Sequence, residues 1–291
     1  MTAPVHGPDP AAPPHIVDML IEERAEKLIT SPLWPLVRSV IYPLLRYSEA
    51  RRMADDIAPM SGIAAMDYVS RALAIDIRVT GTEHIPREGP FILIANHPTG
   101  IADGIAVYDA IKPVRPDITF FANRDAQRVA PGFADLLIPV EWVEDKRTLA
   151  KTRETLVLAR QAFEAGRPVM IFPSGRLAHM TVSGLRERPW LSTTINLMRR
   201  HNAPLVPMHI KARNSLMYYA FHVLNAELRN MTLFNELLNK RGKRYDMKIG
   251  PVIAPETVTG DPAEAVGRLR AYVERDLRQD IPWTQSRQPK K

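Results

Sequence analysis

A histidine two residues past an apolar run, with an aspartate a short turn further on, is the pairing in this chain best suited to chemistry. The segment Phe91-Ile92-Leu93-Ile94-Ala95-Asn96-His97-Pro98-Thr99-Gly100-Ile101-Ala102-Asp103-Gly104 passes from a buried-strand pattern, through an Asn-His pair and a Pro/Gly turn, into a helical stretch. An imidazole delivered to a strand end, with a carboxylate close enough to fix its tautomer, is a general base able to take a proton from a hydroxyl. Pro98 biases His97 to an extended conformation, and Gly100 can take a positive φ. The span from His97 to Asp103 is therefore loop before helix. No other carboxylate lies between Asp103 and Asp109, which makes Asp103 the near partner.

Downstream, Val169-Met170-Ile171-Phe172-Pro173-Ser174-Gly175-Arg176-Leu177 repeats the design: an apolar strand ends in a small Gly-containing loop that carries a cation. Ser174, Gly175 and Arg176 read either as an ordinary strand-ending turn with a solvated arginine or as a cradle for a phosphate or carboxylate. The cradle would use backbone N–H groups, the Ser hydroxyl and a bidentate guanidinium. Asn96 reads as a loop cap or as a residue that orients substrate. Two further basic spots follow strand-like runs: Arg124 in Phe120-Phe121-Ala122-Asn123-Arg124-Asp125, and Lys146 with Arg147 after Trp142-Val143-Glu144-Asp145. Each is a surface charge or a contact to an anionic substrate. His209, in Leu205-Val206-Pro207-Met208-His209-Ile210, reads as a core or rim histidine, and the remaining histidines lack metal-ligand spacing.

The His97 and Ser174 segments together resemble the glycerolipid (lysophosphatidate-type) acyltransferase family. That family carries Asn-His, then Asp after four residues, and later Phe-Pro-Glu-Gly-Thr-Arg. The resemblance implies that His97 activates an acceptor hydroxyl, that Asp103 orients His97, and that the Ser174 loop helps bind the acceptor's charged group. It also implies that Lys146 or Arg147, or else Arg124, contacts that group, and that Leu205–Ile210 lines the site. Two departures stand out. Five residues separate His97 from Asp103 here, and Ser174 stands where the family has Glu, with the arginine one place early at 176. The resemblance runs over about residues 75 to 255 by order of elements. It implies an acyltransferase using acyl-CoA or acyl-carrier protein as co-substrate, with no other cofactor, and a lysolipid acceptor: 1-acylglycerol-3-phosphate or another, such as a lyso-ornithine lipid. The rivals are a hydrolase with Ser174 as nucleophile, which lacks the Gly-x-Ser-x-Gly elbow, and a non-catalytic membrane-binding protein built on a degenerate domain of this kind.

The elements that must position these residues follow from length and pattern. The chain's 291 residues suffice for one large α/β domain plus an accessory segment. Its net charge of +7 favours an anionic partner, and the absence of cysteine excludes disulfides and thiol catalysis. No nucleic-acid motif is present, so a membrane surface or an acidic small molecule is the expected partner. Residues 1–14 read as a disordered tail without a signal-peptide pattern, and 284–291 as a basic tail. Residues 15–73 read as an N-terminal helical segment: His15 to Ile29, Trp34 to Arg46, Ser48 to Ile57 and Gly62 to Leu73. Leu33 to Tyr47 is too short and too charged to span a bilayer, but its aromatics, aliphatics and arginines suit an interfacial helix. By pattern alone a helix packed on the main domain is an equal reading; the resemblance tips it to membrane contact and implies a protein held peripherally on the cytoplasmic face of a membrane (the inner one if the source is bacterial).

From 74 to 283 the pattern is α/β. Strands are expected at Ile75–Val79, Phe91–Ala95, Ile118–Ala122, Ile138–Val143, Val169–Phe172, Leu205–Ile210 and Met247–Ile253. Helices are expected at Ala102–Ile111, Thr148–Ala165, Leu191–Arg200, Leu224–Asn239 and Ala263–Leu277. Such alternation gives a mostly parallel sheet flanked by helices, with sites at the carboxyl ends of its strands.

Overall fold

The computed structural model describes residues 14–141, 144–181 and 184–285. The tails expected at 1–14 and 284–291 fall almost wholly outside the described residues, as does the end of the strand expected at Ile138–Val143.

Among the described residues the strands are β1 (Asp76–Thr80), β2 (Ile92–Ala95), β3 (Thr119–Asn123), β4 (Leu137–Val140), β5 (Val169–Ile171), β6 (His179–Thr181), β7 (Gly184–Arg186), β8 (Leu205–Lys211) and β9 (Arg244–Ile249). Seven of them form one sheet in the order β1-β9-β8-β2-β5-β3-β4, and β6 and β7 form a separate hairpin. Every pairing in the large sheet is parallel except that of β8 with β9. The mostly parallel sheet read from the sequence is the one observed, while the β6–β7 hairpin was not expected.

Apolar runs account for the centre of this sheet. All four residues of β2 are buried, as a strand covered by helices on both faces must be. Leu93 and Ala95 enter one core with the N-terminal helices, and Ile92 and Ile94 enter a second core on the opposite face. The first core packs α1 (Ile16–Glu22), α2 (Glu26–Ile29), α3 (Trp34–Leu44), α4 (Tyr47–Ile57), α5 (Gly62–Leu73) and α6 (Ile101–Ile111). After α7 (Asp125–Val129), the second core takes α8 (Leu149–Glu164) and α9 (Thr193–His201). The helices α10 (Leu216–Leu224), α11 (Ala226–Met231) and α12 (Leu233–Leu238) then return the chain to the first face, and α13 (Pro262–Ala271) closes the second.

Two helices differ from expectation for identifiable reasons. The stretch read as one helix over His15–Ile29 breaks into α1 and α2. Glu227 of α11 accepts the Lys27 and Leu28 N–H groups (3.1 and 2.9 Å) and so caps the second piece from a distance. The long helix read at Leu224–Asn239 is instead α11 and α12, preceded by the unforeseen α10. Asn225 accepts the N–H groups of Glu227 and Leu228 (2.8 and 3.1 Å), and Ser215 caps α10 through the Tyr218 N–H (3.1 Å). Short polar side chains that bond nearby backbone N–H groups start new helices in place of continuing old ones. The expected Asp261-Pro262 start of the last helix forms, with Asp261 accepting from Ala263 N (2.8 Å).

Because β8, β2, β5, β3 and β4 run parallel, the segments leaving their carboxyl ends share one edge: Lys211 onward, Asn96-His97, Phe172 to Ser174, Arg124, and the turn after Val140. His209 lies inside β8, which packs against the turn Tyr272–Asp276. Burial, helped by the charges of Arg278 and Lys211, pushes its imidazole from 6.5 down to about 4. Between these values the unfolded chain binds a proton that the folded protein excludes, so stability falls as pH drops. Denaturant unfolding should lose on the order of 3 kcal/mol between pH 6.5 and 4 from this group. In His209→Leu that part of the pH slope should vanish; an unchanged slope would refute the assignment.

Candidate active site

The loop from β2 to α6 brings His97 and Asp103 together. His97 Nδ1 lies 2.9 Å from Asp103 Oδ2, and Asp103 is fully buried while the His97 side chain keeps 18% exposure. Asp103 sits in the first turn of α6, where unpaired helix N–H groups gather. Its carboxylate accepts the Thr99 N–H (2.8 Å), the Gly100 N–H (3.0 Å) and, in a short contact, the Thr99 hydroxyl. The Thr99 hydroxyl in turn meets the Tyr245 hydroxyl at 2.7 Å. Gly100 has φ +98, a value that L side chains rarely adopt. The residue separating this pair from the family spacing is taken up in that turn, and the dyad forms.

Asn96 is committed to the scaffold. Its Nδ2 donates to the Ile210 carbonyl and its Oδ1 accepts the Ile210 N–H, both at 2.7 Å. The geometry thus makes the expected substrate contact a strap between the ends of β2 and β8.

The second loop folds against the first. Phe172 stacks on the His97 ring, with centroids 4.0 Å apart and planes 19° apart. The His97 carbonyl accepts the Ala178 N–H (2.9 Å). Within the loop, however, the groups read as an anion cradle bond to one another. The Gly175 N–H closes onto the Phe172 carbonyl (2.9 Å), and Gly175 takes φ +60. The Ser174 hydroxyl donates to the Arg176 carbonyl (2.7 Å). Neither Gly175 N–H nor Ser174 Oγ–H is left as an outward donor. The Arg176 side chain is exposed beside them. Among the described residues Ser174 makes no hydrogen bond to a histidine, so the hydrolase reading lacks the activated serine it needs.

Arg124 and Lys146 do reach the same sheet edge, but each faces an acid. Arg124 Nη2 bonds Glu154 at 2.7 Å, and Lys146 Nζ lies 3.7 Å from Glu23 of the N-terminal segment. Of the basic side chains read as substrate contacts, these two are already neutralised.

The residue that sequence reading missed is Glu187, just after β7. It is 3% exposed. Its Oε1 accepts the backbone N–H of His97 (2.7 Å) and its Oε2 accepts the Trp190 indole N–H (3.1 Å). Its own backbone N–H bonds Glu274 (2.9 Å). Burial raises its pKa, against the His97 N–H, the His97 charge, Trp190 and the Ser174 hydroxyl, which lower it. No local pattern marks Glu187; the signal available was an acid three residues before a tryptophan, after the second loop. Among the described residues no group of three or more metal-ligating side chains occurs.

The Acyltransferase family profile matches residues 76–211, which contain β1 through β8 and both loops. A lyso-glycine lipid O-acyltransferase of Phocaeicola vulgatus is 23% identical over 228 residues, covering 76% of this chain and 80% of its own. The protein of the same name from Bacteroides thetaiotaomicron is 22% identical over 248 residues, covering 83% and 89%. The crystal structure of the 1-acyl-sn-glycerophosphate (LPA) acyltransferase PlsC from Thermotoga maritima aligns with 94% of this chain and 99% of its own, at 16% identity and a TM-score of 0.45. Residues 76–211, which hold the His97–Asp103 pair and the Ser174 loop, thus match the Acyltransferase family profile, and both curated relatives carry the name of a lysolipid O-acyltransferase.

Proposed function

We propose that the protein moves a fatty acyl group from a thioester donor, acyl-CoA or acyl-carrier protein, to a hydroxyl of an anionic lysolipid. The observation that carries this reading is the bond between His97 Nδ1 and the buried Asp103 carboxylate. With its proton held on Nδ1 by Asp103, the ring presents an Nε2 lone pair. Nε2 takes the proton of the acceptor hydroxyl as that oxygen attacks the thioester carbonyl carbon. Collapse of the tetrahedral intermediate breaks the C–S bond, and the departing sulfur receives the proton from Nε2. Asp103 stabilises the imidazolium that exists between the two transfers, and Phe172 covers one face of the ring. No acyl-enzyme is formed, consistent with a Ser174 hydroxyl turned inward. The similarity to lyso-glycine lipid O-acyltransferases supports a lysolipid acceptor. An amino-acid-based lysolipid, glycine- or ornithine-derived, and 1-acylglycerol-3-phosphate are the acceptors to compare.

We further propose that the enzyme works at a membrane surface, peripherally and from the cytoplasmic side. No described helix is long and apolar enough to cross a membrane. On α3 and its N-cap, Leu33, Leu36, Val40 and Leu44 are all exposed. Their spacing of three, four and four residues puts them on one helix face. On α10, Leu216, Val223 and Leu224 are exposed as well. Apolar stripes of this kind on a protein of net charge +7 suit an anionic bilayer.

Three outcomes test these readings. Purified protein given labelled acyl thioester and a panel of lysolipids should form diacyl product, with kcat/KM lower by at least about 10³-fold in His97→Ala and Asp103→Asn. Activity retained in either variant refutes the general-base role. Glu187→Gln keeps one acceptor where two donors need one, so kcat should fall about 10- to 100-fold with little change in KM. Native-state hydrogen exchange at the His97 amide should accelerate in that variant, and a slow, unchanged amide would remove Glu187 from the site. In flotation assays the protein should bind vesicles containing anionic lipid, and the double variant Leu36→Glu, Val40→Glu should not; equal binding would place the membrane contact elsewhere.

A further inference from the structure

Arg124 and Lys146, two of the cations read from the sequence as contacts to the acceptor's head group, are paired with acids, while a different set beside the site is not. We propose that Arg188, Arg229, His222 and His179 form an anion pocket next to the His97 loop, and that it takes the carboxylate or phosphate head group of the acceptor lipid. The identity of the bound lipid rests on the acyl-transfer reading above.

Arg188 directly follows Glu187, whose carboxylate holds the His97 backbone N–H. Chain connectivity therefore places Arg188 next to the residue that holds the His97 loop. Arg188 is half-buried, and among the described residues it has no hydrogen bond and no ion pair. A guanidinium sheltered from solvent without a partner is costly unless a ligand supplies one. Arg229 of α11 donates from Nη1 to His222 Nδ1 (3.0 Å), and its remaining contacts are to the neutral amide oxygen of Asn230 (2.7 and 3.1 Å). His179, on β6, has a buried Nδ1 with no hydrogen-bond partner.

His179 sits opposite Arg186 in the β6–β7 register, two residues before Arg188. Burial lowers the His222 pKa, and the charges of Arg229, Arg188 and His179 lower it further; no carboxylate appears among the charges that act on it. Arg229 and Arg188 also act on the neighbouring Tyr218, as does the Glu236 carboxylate, which is itself bonded to Ser215 and Lys240. This contrasts with the other face of the sheet edge, where Arg24, Arg124, Arg128 and Lys146 all meet Asp or Glu. The same surface is amphiphilic. Val223 and Leu224, adjoining His222, are 83% and 74% exposed. A cation cluster at the foot of an exposed apolar helix face matches a molecule with an anionic head and an acyl chain, more closely than it matches free phosphate. Two guanidinium groups and two imidazoles offer donors in several directions, which suits a carboxylate or a phosphate alike.

The test is equilibrium binding to the full-length His97→Ala protein, in which ligand is not consumed. Titrations use short-chain lysophosphatidate, a short-chain N-acyl glycine, the matching monoacylglycerol, inorganic phosphate and coenzyme A. Arg188→Gln and Arg229→Gln should each weaken the two anionic lipids about 10- to 100-fold. Both should leave monoacylglycerol and coenzyme A unchanged, and Arg188→Lys should recover part of the loss. Inorganic phosphate should bind far more weakly than either anionic lipid. Unchanged affinities in both variants overturn the pocket. A loss confined to coenzyme A also overturns it, because the anion would then be the donor's phosphate. Unfolding curves confirm that each variant is folded, and the glutamines stand in for arginines without adding bulk. Whether the wild-type protein turns lysolipid over is a separate measurement, so failure of the acyl-transfer reading and failure of the pocket give different results.

Discussion

One fully buried carboxylate organises the loop that carries His97. Asp103 accepts from the His97 ring, the Thr99 N–H, the Thr99 hydroxyl and the Gly100 N–H. An isolated ionised carboxylate could not be buried at tolerable cost. With four donors converging on it, the same charge holds the loop. The first turn of α6 supplies part of this, since its N–H groups have no helical acceptor and gather at the end where a negative charge is favoured. The orientation of His97 is thus a consequence of how one helix begins. Any movement of the α6 start relative to β2 would leave donors without acceptors, which is why the imidazole can be held with few contacts of its own.

Around this anchor the two cores and the sheet edge act as a frame. β2 is buried on both faces, so the point at which it releases the chain is fixed by packing on either side. Asn96 then straps that point to Ile210 on β8 with two hydrogen bonds, and Glu187 holds the next residue through its N–H. Phe172 closes one side of the ring. Four elements distant in sequence (β2, β5, β7 and β8) therefore converge within two residues of the imidazole. Precision of this order is what general-base catalysis asks of a scaffold, since a misplacement of about 1 Å can cost on the order of 10²-fold in rate.

The sequence made the His97–Asp103 pair visible because every determinant is local: an apolar run, a proline that ends it, a glycine that turns it, and an acid at a helix start. For the same reason the sheet was legible, its strands being short apolar runs separated by helical patterns. The partners of exposed-looking charges were not legible. Arg124 and Lys146 sit at the edge where they were placed, but Glu154 and Glu23 reach them only in three dimensions. Glu187 and Arg188 carry the opposite lesson. They follow a hairpin with no strong periodicity, and Glu187 matters through its bonds to His97 and Glu274, far away in the chain. The helix α10 escaped notice because its aromatic-rich run lacks a polar face, while the caps at Ser215 and Asn225 set its limits. Helix boundaries made by single side-chain caps are the feature that a pattern of apolar residues conveys least.

The serine at 174, where the resembling family has a glutamate, fits the arrangement of charges around His97. A buried carboxylate does lie against this loop, but it comes from Glu187, and burial raises its pKa while the Ser174 hydroxyl acts in the opposite sense. A second carboxylate at 174 would place two like charges in a water-poor space already containing Asp103, which raises the cost of ionising each. A neutral hydroxyl avoids this repulsion and donates its one proton to the Arg176 carbonyl. The departure at 174 and the glutamate at 187 are in this sense one feature. Negative charge near the imidazole stays on groups that bond backbone and ring N–H atoms, and the uncompensated positive charge is displaced to Arg188 and the helices beyond it. On the proposed reading, the imidazole and its carboxylate can stay in place while the charges on the neighbouring side change, since a fold does not by itself fix what its site binds.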